Sequence, residues 1–175
     1  MRVVAGELGG RRLLAPRSGS VRPTTDRVRE ALFSILGDLG GARALDLFCG
    51  TGALGIEALS RGARSATFVD TDTDPVERNV TALGLEARSR VHRGDALRFL
   101  ERDGDRYDLV LCDPPYRVAP RLGPELDTLL DDRLAAGARV IVEGDPGAPP
   151  ELGLELDDER RYGSTLIRIY SARRR

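Results

Sequence analysis

From Arg43 onward the sequence alternates between short apolar runs and stretches with helical periodicity. This alternation restricts the fold more than any other feature of the chain. Strands are expected at 43–48, 65–70, 88–92, 108–112 and 138–143, separated by helices at 53–61, 74–83, 95–102 and 120–130. Strands joined through helices run parallel with right-handed crossovers, and a parallel sheet needs cover on both faces. The pattern changes near the end, where runs at 154–160 and 165–171 flank the turn residues Tyr162 and Gly163. That arrangement predicts an antiparallel hairpin closing the sheet edge. Ahead of the alternation, runs at 2–5 and 11–15 surround Gly6, Gly9 and Gly10 and predict a small hairpin. A loop over 16–25 follows, then a helix from Thr25–Asp26 with apolar positions Val28, Ala31, Leu32, Ile35 and Leu36, stopped by Gly37. The fold class is α/β: a doubly wound, mostly parallel sheet with helices on both faces and a small N-terminal β-hairpin.

At 175 residues one domain is expected, divided here into a basic hairpin and loop at 1–22 and a main body at 23–175. No apolar run approaches the length of a membrane span, and the opening MRVVAGELGG lacks the apolar stretch of a signal peptide. Two cysteines, Cys49 and Cys112, are too few for a disulfide framework and point to a reducing, cytoplasmic setting. The formal net charge of −1 hides an uneven distribution. Residues 1–30 carry seven arginines against three acids, residues 160–175 carry six arginines and no acid, and 31–159 sums to −11. Every one of the 27 basic residues is arginine, which grips phosphate in two places and stacks on bases, although genome composition alone also explains missing lysines.

The segment Ala44 to Glu57 places Gly50, Gly52 and Gly55 in GxGxxG spacing between a strand and a helix. Gly50 is expected to permit the tight turn, Gly52 to let a ligand approach the backbone, and Gly55 to allow close helix–strand packing. Dinucleotide-binding folds share these glycines, so the neighbours must discriminate. Asp46 puts a carboxylate in the strand end, which repels a pyrophosphate and suits a cationic ligand bearing an amino group and a sulfonium. Asp70, 20 residues after Gly50, is placed to accept from ribose hydroxyls, and Asp72 is close enough to share or take that task. Asp95 ends the third strand and reads both as an acceptor for an adenine amino group and as a helix N-cap. The single histidine, His92, reads as structural, and no metal-ligand pattern accompanies it.

The fourth strand runs into Asp113-Pro114-Pro115-Tyr116. Two consecutive prolines fix the backbone, so the Asp113 side chain and the Pro114 carbonyl become converging acceptors beside an aromatic stacking face. An exocyclic amino group is a poor nucleophile because its lone pair is delocalised into the ring. Acceptors that hold its hydrogens out of plane localise that pair and aim it at an electrophilic methyl, by orientation and electrostatics. Ring-carbon methylation would need a nucleophilic thiol, but Cys49 and Cys112 read as packing residues, so no covalent intermediate is expected.

Taken together, Asp46, Gly50, Gly52, Asp70, Asp95 and Asp113 to Tyr116 resemble the S-adenosylmethionine-dependent class I methyltransferases. The run Arg22-Pro23-Thr24-Thr25-Asp26-Arg27-Val28-Arg29-Glu30, with Arg2 to Gly6, Gly10 to Leu13, Val142-Glu143 and Tyr162-Gly163, is similar to the RsmD family of 16S rRNA guanine-N2 methyltransferases. The resemblance spans nearly the whole chain. It implies a Rossmann-like seven-stranded fold, bound S-adenosyl-L-methionine, and methylation of one guanine in assembled or nearly assembled 30S subunits. It implies cofactor contacts from Asp46, Phe48, Gly50, Thr51, Gly52, Asp70, Asp72, Asp95 and Ala96, with Thr24, Thr25 and Arg27 bordering the methyl-donor end. Asp113, Pro114 and Tyr116 would hold the target base, Tyr116 standing where many relatives have phenylalanine. Arg2, Arg11, Arg12, Arg17 and Arg22 would meet RNA phosphates, although a solvated basic face accounts for the same residues. The terminal Arg173, Arg174 and Arg175 either join that field or fray in solvent.

A monomer without metal or membrane partner is the expected form. Two other functions use the same residues. A DNA adenine-N6 methyltransferase shares the Asp-Pro-Pro-Tyr chemistry but leaves little chain for target recognition. An NAD-binding protein or a catalytically silent RNA-binding module fits the glycines, but not Asp46 and not the intact Asp113–Tyr116 segment.

Overall fold

A computed structural model of the chain describes residues 1–14, 25–115, 118–147 and 149–172. Thr24, Arg17, Arg22, Tyr116 and Arg173 to Arg175 lie outside the described residues. The described elements run α1 (Asp26–Leu36), β1 (Arg43–Leu47), α2 (Ala53–Ser60), β2 (Ser65–Asp70), α3 (Asp74–Leu83), β3 (Ser89–Arg93), α4 (Ala96–Arg102), β4 (Tyr107–Cys112), α5 (Ala119–Leu130), β5 (Leu134–Gly144), β6 (Glu155–Tyr162) and β7 (Thr165–Ser171). The seven strands form one sheet ordered β3-β2-β1-β4-β5-β7-β6. β1 to β5 are mutually parallel, and β7 pairs antiparallel with both β5 and β6. The expected alternation and its closing hairpin are both present.

Alternation of side chains along each strand divides the core in two. One face of the sheet carries Ala44, Phe68, Leu111, Ile141 and Ile167 against Leu32 and Phe33 of α1, Ile56 and Leu59 of α2 and Val76 and Val80 of α3. The other carries Leu45, Val69, Val110, Val140 and Tyr170 against Phe99 and Leu100 of α4 and Leu122 and Leu126 of α5. The local signals explain the helix ends. Thr25 caps α1 by accepting from the Val28 N–H (3.4 Å), and Gly37 terminates it with an N–H to the Phe33 carbonyl (3.1 Å). Asp95 caps α4 by accepting from the Arg98 N–H (3.0 Å).

Most boundaries differ from the sequence expectation by a residue or two, and three departures bear on the fold. β1 stops at Leu47 because Phe48 takes φ 59°, a left-handed conformation that turns the chain out of the sheet. β5 starts four residues early, at Leu134. Its ladder with β4 shifts register between Tyr107 and Leu109, where Gly137 (φ 73°) supplies the bulge. The run Ala135-Ala136-Gly137 has no strand periodicity, so only the pairing with β4 identifies it. At the N-terminus one antiparallel bridge, Arg2 to Arg12, stands where two strands were expected. Val3 and Leu13 are buried in the α1–α2 side of the core, so residues 1–14 are docked there.

Candidate functional site

The strand order reverses between β1 and β4. From β1 the chain winds outward to β2 and β3, and from β4 to β5 on the opposite side. Ligands of open α/β sheets bind in the crevice beyond the carboxyl ends of the strands at such a reversal. The Gly50–Gly52 loop leaves β1 here, and Asp113 leaves β4 beside it, its N–H directed at the Leu47 carbonyl (3.5 Å). Residues two apart share a face of a strand. Asp46 therefore projects with Ala44, Asp70 with Phe68, Asp113 with Leu111 and Glu143 with Ile141, all on the α1–α2–α3 side. Four carboxylates thus line one face of the sheet at its carboxyl edge.

The loop is held by two of them. Asp46, 1% exposed, accepts from the Gly55 N–H (2.8 Å). Asp70 accepts from the Gly50 N–H (2.8 Å) with one oxygen and from the Asp72 N–H (3.0 Å) with the other. Asp72 is exposed and accepts from the Asp74 N–H (3.3 Å). Asp70 is therefore the carboxylate fixed against the glycine loop, whereas Asp72 sits one turn outward. Two of the three glycines have a packing role that the structure shows. A Cβ on Gly52 would lie 2.5 Å from Val76 Cγ2, so this glycine makes room for α3. A Cβ on Gly55 would lie 2.4 Å from Phe68, as close helix–strand packing requires. At Gly50, with φ 53°, no atom lies within 4 Å of that position, so the open side of the loop is there.

Burial pushes the Asp46 carboxyl up to about 7; the Gly55 N–H opposes this and the nearby Asp70 charge adds to it. Asp113 is raised well above the usual carboxylate range, first by burial, then by the charges of Glu143 and Asp46. Such a constellation has a surplus of negative charge that a cation relieves. Cys49 and Cys112 are both buried, and burial together with the neighbouring carboxylates pushes both thiols up, which keeps them protonated and unreactive.

Those of the remaining expected residues that the structure describes lie on several elements. Thr25 and Arg27 stand at the start of α1, and Thr51 is buried in the loop, its carbonyl accepting from Asn79 Nδ2 (2.9 Å). Phe48 is partly buried against the α4–α5 side, and Pro114 is buried. Asp95 is exposed at the head of α4, with Ala96 buried behind it. A cleft of about 620 Å³ runs from Asp95 along β3 and α4, lined by Arg90, Arg93, Arg98 and Arg102. Asp95 is the one expected site residue it includes. His92 lies against the Phe99 ring, with centroids 5.0 Å apart. Among the described residues no group of three or more His, Cys, Asp or Glu is arranged to hold a metal ion, and no helix is long and apolar enough to cross a membrane. Of the N-terminal arginines, Arg2 is two-thirds exposed beside Asp26 (3.4 Å), Arg11 is exposed and donates to the Ala82 carbonyl (3.3 Å), and Arg12 is exposed.

Sequence reasoning missed three residues that organise the site. Asn79 is 1% exposed and ties the Thr51 carbonyl to both the N–H and the carbonyl of Leu14. Its signal was a polar residue on the apolar stripe of Val76, Val80 and Leu83. Glu57 was likewise a charge within the apolar run of α2. Glu143, 5% exposed at the end of β5, was a charge within a strand expected to be covered on both faces.

The sheet order and the glycine loop at its reversal define the Rossmann-like class I methyltransferase fold. Residues 1–171 match the model of the family described as Conserved hypothetical protein 95, the RsmD family, and the chain belongs to it. Ribosomal RNA small subunit methyltransferase D of Escherichia coli (strain K12) is 38% identical over 97% of this chain and 89% of its own length. The solved structure of the Escherichia coli protein yhhF is 35% identical, with a TM-score of 0.87, over 100% of this chain and 99% of that one. An RNA methyltransferase of Salinibacter ruber, solved with S-adenosyl-L-homocysteine, has the same fold at 20% identity, with a TM-score of 0.66 over 88% of this chain and 95% of that one.

Proposed function

We propose that the chain transfers a methyl group from S-adenosyl-L-methionine to the exocyclic N2 amino group of a guanine in 16S rRNA, in assembled or nearly assembled 30S subunits. The observation that carries this reading is the row of Asp70, Asp46 and Asp113 along one face of the sheet, at the strand-order reversal beside the open side of Gly50. Relatives 32–38% identical over nearly the full chain carry the name ribosomal RNA small subunit methyltransferase D, which supports the substrate class. The cofactor, when bound, supplies an electrophilic methyl on a sulfonium. Asp70 accepts from the ribose hydroxyls, with Asp72 beside it, while the Gly50–Gly52 loop and Asp95–Ala96 border the remainder. Thr24, Thr25 and Arg27 border the methyl end. Asp113 and the Pro114 carbonyl hold the hydrogens of the target amino group, and Tyr116 stacks on the base. Residues 1–22, with Arg2, Arg11, Arg12, Arg17 and Arg22, contact RNA phosphates, and 23–175 form the transferase body, working as a monomer in the cytoplasm. Incubating the protein with labelled S-adenosylmethionine and 30S subunits lacking the modification, followed by nucleoside mass spectrometry, tests this directly. N2-methylguanosine is expected; N6-methyladenosine from duplex DNA instead would transfer the assignment to DNA.

Two binding measurements probe the cofactor half alone. Asp70→Ala removes an acceptor for the ribose and frees the Gly50 N–H, so calorimetry should show affinity for S-adenosylmethionine falling about 10–100-fold. Affinity equal to that of the parent would remove Asp70 from the ribose role. The second measurement follows from Asp46, which is largely protonated below about pH 7 in the free protein. A cation nearby favours the ionised form, so binding at pH 6 must release a proton. Affinity for S-adenosylmethionine should therefore rise between pH 5.5 and about 7 and level off above. S-adenosylhomocysteine, which has the same amino group and no sulfonium, should show a weaker rise. Equal pH dependence for the two ligands counts against Asp46 sensing the sulfonium.

A further inference from the structure

The crevice contains a carboxylate that the transfer scheme above does not use. Glu143 ends β5, the strand paired with β4 on the side away from β1. The β4–β5 ladder pairs Leu111 with Ile141 and ends on Cys112 with Val142; Asp113 and Glu143 are the residues that follow this last pair, and the Glu143 charge acts on Asp113. Both continue the face carried by Leu111 and Ile141, so the two side chains leave the sheet on the same side. Glu143 is 5% exposed, and of the charges acting on Asp113 its effect is the largest. Several described groups lie on the elements next to the pair. On β1, Asp46 faces Asp113 from the opposite side, and on β2, Asp70 acts on Asp46. Cys112 belongs to the other face. On β7, Ile167 lies opposite Glu143, while Arg168 is engaged by Glu159 and Glu151. On α1, Arg29 is held by Asp26 and the Arg2 carbonyl, and on α2, Glu57 is held by Arg61 and the N–H groups of Val4 and Ala5.

We infer that Glu143 is a positioning residue for the transfer: from the end of β5 it faces the Asp113 carboxylate, and the two form one proton-holding pair that receives the proton leaving the methylated amino group. The inference rests on the proposed amino methylation. The lone pair of the amino nitrogen forms the new N–C bond as the methyl–sulfur bond breaks with its electron pair on sulfur. The nitrogen, now carrying an extra positive charge, loses one N–H proton to Asp113. Two carboxylates held side by side titrate as a unit, so Glu143 sets the pH range over which Asp113 is an empty acceptor. Asp46 cannot substitute, because the Gly55 N–H and the glycine loop fix it to a different task.

The test is the pH profile of kcat in the wild type and in Glu143→Gln. Removing the neighbouring charge lets Asp113 ionise more readily, so the acid limb should move down by about one pH unit. KM for S-adenosylmethionine should stay within about twofold, and Glu143→Asp should move the limb back towards the wild type. A structural defect would lower the whole profile without moving the limb, and an unmoved limb overturns the inference. A second measurement needs neither turnover nor the Gln variant. Carboxyl carbon NMR of the ligand-free wild type should show Glu143 titrating in two steps that collapse to one in Asp113→Asn. A single unchanged step overturns the inference even if Glu143→Gln does not fold. Lack of wild-type transfer to any nucleic acid would instead remove the proposed function, while the NMR titration still reads the pair.

Discussion

Replacing Asp113 with alanine is expected to lower methyl transfer about 10³-fold, some 4 kcal/mol of transition-state stabilisation. S-adenosylmethionine affinity should stay within about twofold of the parent. The size follows from two tasks that one side chain performs. In the proposed reaction the Asp113 carboxylate accepts an amino hydrogen, which holds the nitrogen lone pair out of conjugation, and it then takes the proton that the new N–C bond makes acidic. Alanine removes both, and the remaining acceptor, the Pro114 carbonyl, can bond a hydrogen but cannot take it. Asp113→Asn separates the tasks, because its amide oxygen still accepts a hydrogen bond and is no proton acceptor, so its loss should fall between the two. Single-turnover transfer from labelled S-adenosylmethionine, beside calorimetry for cofactor binding, gives both readings. Turnover of Asp113→Ala within tenfold of the wild type would take Asp113 out of the chemistry.

The uneven charge of the chain follows from the same geometry. Burial first, and then the charges of neighbouring carboxylates on the same face, raises the proton affinity of Asp46 and Asp113. In the proposed site a cationic donor near Asp46 and Asp113 would relieve that repulsion while the methyl is still on sulfur and withdraw the relief once the sulfur is neutral. A neutral product therefore binds a more repulsive site than the cationic substrate did, which favours its release. RNA phosphate, the proposed partner, needs the opposite field, and the exposed Arg2, Arg11 and Arg12 offer it on residues 1–14.

Much of this architecture was legible in the sequence because apolar periodicity and strand-end chemistry are local. The crossovers, the closing hairpin, the glycine loop and the acid at the end of each early strand can all be read without tertiary information. What was not legible depends on partners distant in the chain. Gly52 also serves packing against Val76, a need fixed by where α3 lies. Leu134 to Gly137 join β5 only because Tyr107 pairs with Leu134 around a bulge. Glu143 shares an edge with Asp113 through a strand register, 30 residues apart in sequence. Asn79 and Glu57 announced themselves as polar residues on apolar helices, but the sequence does not say what they bind. Both prove to hold the N-terminal segment: Asn79 through Leu14, Glu57 through Val4 and Ala5.

Glu57→Ala is accordingly expected to destabilise the fold by about 3–5 kcal/mol, the loss typical of breaking a buried charge network from one side. Glu57 is fully buried in α2. It accepts from the Val4 N–H (2.7 Å), the Ala5 N–H (3.0 Å) and Arg61 Nε (2.7 Å). It also faces Arg29, whose guanidinium is 0% exposed and whose pKa is lowered first by burial, against which Asp26 and Glu57 act. Alanine leaves two backbone donors unsatisfied and one buried cation with less compensation. Glu57→Gln keeps one acceptor oxygen and should cost less, about 1–2 kcal/mol. In a domain of this length the alanine variant should melt roughly 10 °C below the parent, measured by calorimetry or circular dichroism at pH 7. Docking of residues 1–14 runs along the same helix, since Ser60 accepts from the Leu8 N–H (3.0 Å) through its hydroxyl and from the Glu7 N–H (2.8 Å) through its carbonyl. Limited proteolysis near the N-terminus should therefore quicken in Glu57→Ala before the sheet itself is lost. A melting point within 2 °C of the parent, with unchanged proteolysis, would mean that α2 and the N-terminal segment are held by apolar contacts alone.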